Sequence, residues 1–162
     1  MTPTELAYLA GIVDGEGNIA IAKKPARAKS GEKTSTHWNY VKISNCDIRL
    51  LNWVLSVTGR GTISQESRAY TDNRRNHFTW IITSVAAASL LHEIYPYLVI
   101  KKDQANVVFR FRQTFSSRRS CRFGIPDWVS RERNVCYEEL RRLHHVEHDG
   151  GPRQNPILRL AV

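Results

Sequence analysis

Two hydrophobic periods, joined by a pair of glycines, constrain this chain most. Leu6, Leu9, Ala10 and Val13 recur at the spacing of a helix, which predicts helix over residues 4–14. Gly15 and Gly17 end that pattern. Residues 17–24 alternate instead, with Ile19 and Ile21 on one face and Asn18, Ala20, Ala22 and Lys24 on the other. Either Thr2 or Thr4 supplies the N-cap hydroxyl, and Pro3 fits the first turn if Thr2 is the cap. A helix that runs almost directly into a half-buried strand must pack against the sheet that strand joins.

The rest of the chain extends this scheme. After a polar loop at 25–35, residues 36–44 alternate, with Val41 and Ile43 opposite Trp38, Tyr40, Lys42 and Ser44. Asp47 caps a second helix whose apolar stripe is Ile48, Leu51, Val54 and Leu55, and Gly59 and Gly61 stop it. Strands are expected at 61–67 and 76–82, the latter with Phe78, Trp80 and Ile82 on one face and His77, Thr79 and Ile81 on the other. Thr83 or Ser84 caps a third helix, which Pro96 breaks after Tyr95. Residues 101–115 read as a fourth helix packed through Ala105, Val108 and either Phe111 or Phe115. Pro126 opens a further helix to about Leu143, and 144–162 read as a loosely ordered tail. Trp53 and Trp128 are expected in the core, and Cys46 is expected to be packed. The order αββαββα, with helices following, predicts an α+β fold: one domain over 1–143, an antiparallel sheet with helices on one face and the other face free.

Composition says what that free face meets. The chain carries a net charge of +9, distributed unevenly. Residues 1–16 hold three acidic groups and no basic one, residues 17–81 hold 11 basic and 4 acidic groups, and residues 101–122 hold 7 basic and 1 acidic. A basic middle beside an acidic start predicts a polyanion-binding surface with a carboxylate site next to it. The free sheet face mixes Asn18, Lys24, Trp38, Tyr40, Lys42, Ser44, His77 and Thr79, the polar, basic and aromatic mixture that reading a nucleic acid requires. An ordinary solvated face is the competing reading, and the large aromatics fit it poorly. No apolar run reaches the roughly 18–20 residues of a membrane span, and the N-terminus has no basic stretch of a signal peptide. Three cysteines (Cys46, Cys121, Cys136) without CxxC spacing disfavour a disulfide framework or a zinc ribbon and suggest a reducing intracellular compartment.

The segment Leu9-Ala10-Gly11-Ile12-Val13-Asp14-Gly15-Glu16-Gly17 is expected to carry the chemistry. Ala10, Gly11 and Gly15 place small residues on one helical stripe, where two helix backbones can approach closely. Glu16 is expected just past the helix C-terminus, beside free carbonyls that include that of Gly15. Oxygen donors grouped there suit a hard divalent cation such as Mg²⁺. The alternative is that Asp14 and Glu16 are only turn carboxylates.

These residues resemble the LAGLIDADG homing endonuclease family. LAGIVDGEGNI is similar to the family motif, ISNCD at 43–47 to the end of its second strand, GRGTI at 59–63 to the opening of its third, and PYLVIKKDQAN at 96–106 to its late lysine segment. The resemblance threads residues 5–115 and includes one copy of the motif. It implies a saddle-shaped antiparallel sheet and a homodimer packed through the residue 5–15 helix. It further implies site-specific, Mg²⁺-dependent cleavage of both strands of a long pseudo-palindromic DNA, with Mn²⁺ or Ca²⁺ as other candidate ions. Glu16 and the Gly15 carbonyl would hold the metal, Asn45 would organise water, and Arg49 and Lys101 would line the cleavage pocket. Glu16 stands where the motif's name has Asp, and Asn45 is shorter than the Gln of some members. Candidate base-reading residues are Lys24, Trp38, Tyr40, Lys42, Ser64, Glu66, His77 and Thr79, with Arg68, Arg74 and Arg75 assigned to phosphates. The fit leaves the facing of residues 77–82 open by one position. A non-catalytic binder, such as an intron RNA maturase or a DNA-binding regulator, is the alternative function. A zinc site from His144, His145 and His148 is the weaker third.

Overall fold

The computed structural model describes residues 1–24, 35–65, 77–115 and 125–146. Helix α1 spans Pro3–Glu16 and begins with a reciprocal cap: the Glu5 N–H donates to the Thr2 hydroxyl at 3.3 Å and the Thr2 N–H to the Glu5 carboxylate at 2.7 Å. Thr2 is therefore the cap, with Pro3 in the first turn. The helix runs through Glu16, which is its last residue rather than the first beyond it. Gly17 is both the C-cap and the first residue of β1 (Gly17–Lys24), and a Cβ there would lie 2.5 Å from the Val13 carbonyl oxygen. Only glycine lets the chain pass from helix to strand without a spacer.

The other elements are β2 (Thr36–Asn45), α2 (Ile48–Thr58), β3 (Thr62–Gln65), β4 (Phe78–Thr83), α3 (Ser84–Ile94), a 3₁₀ turn (Tyr95–Tyr97), α4 (Lys102–Gln113) and α5 (Asp127–Val146). The strands form one antiparallel sheet in the order β1-β2-β4-β3. One face carries Ile19, Ile21, Val41, Ile43, Trp80 and Ile82, all buried against α1, α2 and α3. This is the α+β architecture that the periodicities predict. Gly59 ends α2 in the left-handed conformation (φ 60°) with its N–H on the Leu55 carbonyl.

Several expectations need correction. No side-chain cap opens α3: Ser84 turns the corner from β4 at φ 58°, and its carbonyl accepts the Asn39 amide N–H at 2.8 Å. Ile48 is exposed, because the buried side of α2 is Leu51, Val54 and Thr58. Trp128 is 66% exposed, Trp53 is half-buried in a T-shaped contact with Tyr8 (ring centroids 4.8 Å apart), and Cys46 is exposed. The last helix runs to Val146, so His144 belongs to it and not to a tail.

Helix α5 covers the free edge of β1. His144 Nε2 donates to the Ile19 carbonyl at 3.0 Å, His37 Nε2 donates to Asn134 Oδ1 at 3.2 Å, and the Lys23 ammonium lies over the Tyr137 ring. Arg133, buried on α5, donates to the Thr114 hydroxyl and carbonyl and stacks on Phe115, tying α5 to the end of α4. The His144 contact occupies one carbonyl of the β1 edge, which makes that edge less available for stray pairing.

Candidate active site and nucleic-acid interface

A helix leaves its last carbonyls without intrahelical donors, and its dipole makes that end negative. Here Lys101 answers both. Its Nζ donates to the Val13 carbonyl at 3.0 Å and the Asp14 carbonyl at 2.7 Å, and the residue is 8% exposed. The Asp14 carboxylate accepts the Val99 N–H at 2.7 Å and the Lys101 N–H at 3.0 Å, knitting the 98–101 turn to the foot of α1. Asp14 is thus a structural carboxylate. Glu16 is exposed and has no partner among the described residues, so only one of the two acids is a turn carboxylate.

Gly17 pairs with Ile43, which brings the foot of α1 alongside the end of β2, where Ser44 and Asn45 lie. Asn45 Oδ1 accepts the Asp47 N–H at 2.8 Å and shapes the turn into α2. Asp47 caps α2 through the Arg49 N–H and also grips the Arg49 guanidinium at 2.6–3.0 Å. That guanidinium and, second, the Arg49 backbone N–H hold the Asp47 carboxyl down at about 2. The Arg49 side chain is nonetheless 87% exposed, a cation standing in solvent on a fixed anchor. The fold therefore gathers Gly15, Glu16 and Lys101 at one helix end, with Asn45 and Arg49 at the neighbouring corner. The sequence points to Asp47 as the cap of α2 but not to its grip on the Arg49 guanidinium, and the clamp role of Asp14 is hidden because Asp14 and Val99 lie 85 residues apart. Among the described residues no group of three or more His, Cys, Asp or Glu could hold a metal ion by itself.

The outer sheet face is built in rows across the strands. Asn18, Lys42, Ile81 and Thr62 form one, Ser44, Thr79 and Ser64 the next, Ala20, Tyr40 and Thr83 another, and Ala22 and Trp38 a fourth, beyond which Lys24 pairs with Thr36. The Ser44 and Thr79 hydroxyls share a hydrogen bond at 3.0 Å, which settles the facing of residues 77–82 as the alternation predicts. Lys24, Trp38 and Ser64 are exposed, Tyr40, Lys42 and Thr79 are half-buried, and half-buried His77 precedes β4. Burial pushes the Tyr40 phenol up. Glu66, Arg68, Arg74 and Arg75 lie outside the described residues, as do Cys121, His148 and the side chain of His145.

On α1 a second surface is exposed. Thr4, Ala7, Tyr8, Gly11 and Gly15 form a stripe; Ala10, expected on it, instead faces the core and is buried. Among the described residues a Cβ added at Gly11 or Gly15 would meet nothing within 4 Å. Val99 and Ile100, 81% and 64% exposed, lie in the turn that Asp14 holds at the foot of this helix.

No family model matches the chain, and no curated protein does. Solved structures do match. The homing endonuclease I-CvuI in complex with its target in the presence of Ca superposes with a TM-score of 0.68 at 18% identity, over 93% of this chain and 85% of that one. The archaeal intron-encoded homing endonuclease I-Vdi141I, complexed with DNA, gives 0.68 at 13% identity over 86% and 84%. The LAGLIDADG homing endonuclease I-GzeII, in complex with its DNA target, gives 0.63 at 14% identity over 82% of this chain and 43% of that one. The fold of this chain is the fold of LAGLIDADG homing endonucleases.

Proposed function

We propose that this chain is a site-specific DNA endonuclease that works as a homodimer and cuts both strands of a long pseudo-palindromic site. The observation that carries the reading is the exposed Glu16 carboxylate at the foot of an exposed helix stripe of small residues. Glycine inside a helix costs about 1 kcal/mol relative to alanine. Among the described residues nothing requires Gly11 or Gly15 to lack a side chain. A second α1 packed against the first accounts for both, and it brings two Glu16 side chains to one seam. The similar structures named above support DNA as the partner, since each is a DNA complex.

The donor set fits a hard divalent cation, Mg²⁺ first among them. Glu16 supplies a carboxylate and Gly15 a helix-end carbonyl, and a bound ion would take its other oxygens from water and DNA phosphate. Such an ion stabilises negative charge on the attacking and leaving oxygens of phosphodiester hydrolysis. The chain's own residues do the rest. Lys101 keeps the end of α1 in place and offsets the negative helix terminus that would otherwise repel phosphate. Arg49, held by Asp47, sets a positive charge beside the scissile group. Asn45 fixes the corner and carries an amide for water. The outer sheet face lies in the major groove, and the excess of basic residues supplies the salt-dependent attraction. Free Cys46 and Cys136 suit a reducing compartment that contains DNA.

A duplex selected from a randomised library, incubated with Mg²⁺, tests the proposal. The wild type is expected to cut both strands, and Glu16→Gln to bind with similar affinity and cut neither. Undiminished cleavage by Glu16→Gln would overturn the assignment of the acid. Tight binding by the wild type without cleavage under any divalent ion would point to the non-catalytic alternative.

A further inference from the structure

Among the described residues the outer sheet face carries one large aliphatic side chain, Ile81. It stands at the centre of the sheet, on β4, paired with Lys42 of β2 on one side and Thr62 of β3 on the other. Its neighbours on the strand, Trp80 and Ile82, are buried on the opposite face, so Ile81 points away from the core and stays half-exposed. The rows beside it are hydroxyl-rich: Ser44, Thr79 and Ser64 on one side, Thr83 on the other. An isoleucine stabilises nothing in the core from this position. A polar residue would leave the pairing intact, since Thr62, Thr79 and Thr83 serve around it.

The geometry points to Ile81 as a specificity residue that reads the C5-methyl group of a thymine in the major groove. Of the groups a base pair shows in that groove, the thymine methyl is the one that an aliphatic side chain recognises, while donors and acceptors call for Lys, Arg, Asn or hydroxyls. Lys42, in the same row, is of the second kind, and Thr62 offers a hydroxyl beside a methyl smaller than the isoleucine side chain, so the row reads a thymine flanked by hydrogen-bonding groups. Each half-site then holds one thymine whose methyl contributes to binding. The inference rests on the DNA-binding reading above and adds the base and the atom.

The test uses uracil, which pairs like thymine and lacks only the methyl. In the selected duplex, each thymine of one half-site is replaced singly by deoxyuridine and binding to the full-length wild type is measured. One position is expected to lose about fourfold in affinity, the value of burying one methyl-sized group, with the other positions unchanged. Ile81→Ala is expected to bind thymine and uracil equally at that position. No methyl-dependent thymine in the wild-type scan overturns the inference even if Ile81→Ala does not fold, and so does a methyl dependence that Ile81→Ala retains. In both cases the DNA-binding reading survives, because the duplex is still bound. Failure of the wild type to bind any duplex overturns both.

Discussion

At the scale of single residues, the foot of α1 shows a division of labour between two acids and a lysine. Asp14 and Lys101 are used up in holding the turn and the helix end, which leaves Glu16 available. The sequence reading names Glu16, Gly15 and Lys101 because they fall in segments with a recognisable pattern. It does not assign Asp14, since a carboxylate beside a glycine turn is compatible with either role until the 98–101 turn is brought against it. Likewise hydrophobicity alone places Ile48, Cys46 and Trp128 inside, whereas which side of a helix meets the sheet is decided by distant neighbours. Lys101→Met leaves the Asp14 carbonyl without its donor at a buried helix end. Urea unfolding is expected to report a loss of about 2 kcal/mol, and an unchanged midpoint and slope would show that the contact contributes nothing.

At the scale of elements, strand parity is the most legible feature. The alternation of Trp38, Tyr40, Lys42 and Ser44 against Val41 and Ile43 needs only a period of two, and the sheet register agrees at every position. The alternation fails to signal that β2 continues its inner face with two polar residues, His37 and Asn39, both buried. Their partners are Asn134 on α5 and the Ser84 carbonyl at the start of α3, so these contacts exist only once the helices have docked. Burial is the larger cause that pushes the His37 imidazole below its ordinary value of 6.5, the nearby Lys23 and Arg133 charges add to it, and the Asn134 contact opposes it. A histidine with a depressed folded-state value binds more protons when unfolded. Its contribution to stability is therefore complete above about pH 6.5 and is lost as pH falls below that toward the folded-state value. Thermal melts at about pH 7 and pH 5.5 should show a fall in Tm for the wild type that is smaller in His37→Gln. Equal falls in both would show that the docking of α5 on β2 does not depend on a neutral imidazole.

At the scale of the whole molecule, one chain presents half of what the proposed reaction needs: one acid, one stripe of small residues and one reading face. Among the described residues, Lys24 and Lys42 are the cations of the outer sheet face, with the Glu16 carboxylate at the nearby foot of α1. Two chains joined along α1 would place one Glu16 toward each strand of a duplex. The most direct measurement is strand scission by a purified mixed dimer of wild type and Glu16→Gln, with separately labelled strands and Mg²⁺. One acid per strand predicts that each duplex is nicked once, in whichever strand faces the wild-type acid, and that no duplex is cut through. Cleavage of both strands of the same duplex by the mixed dimer, or of neither strand, would contradict it.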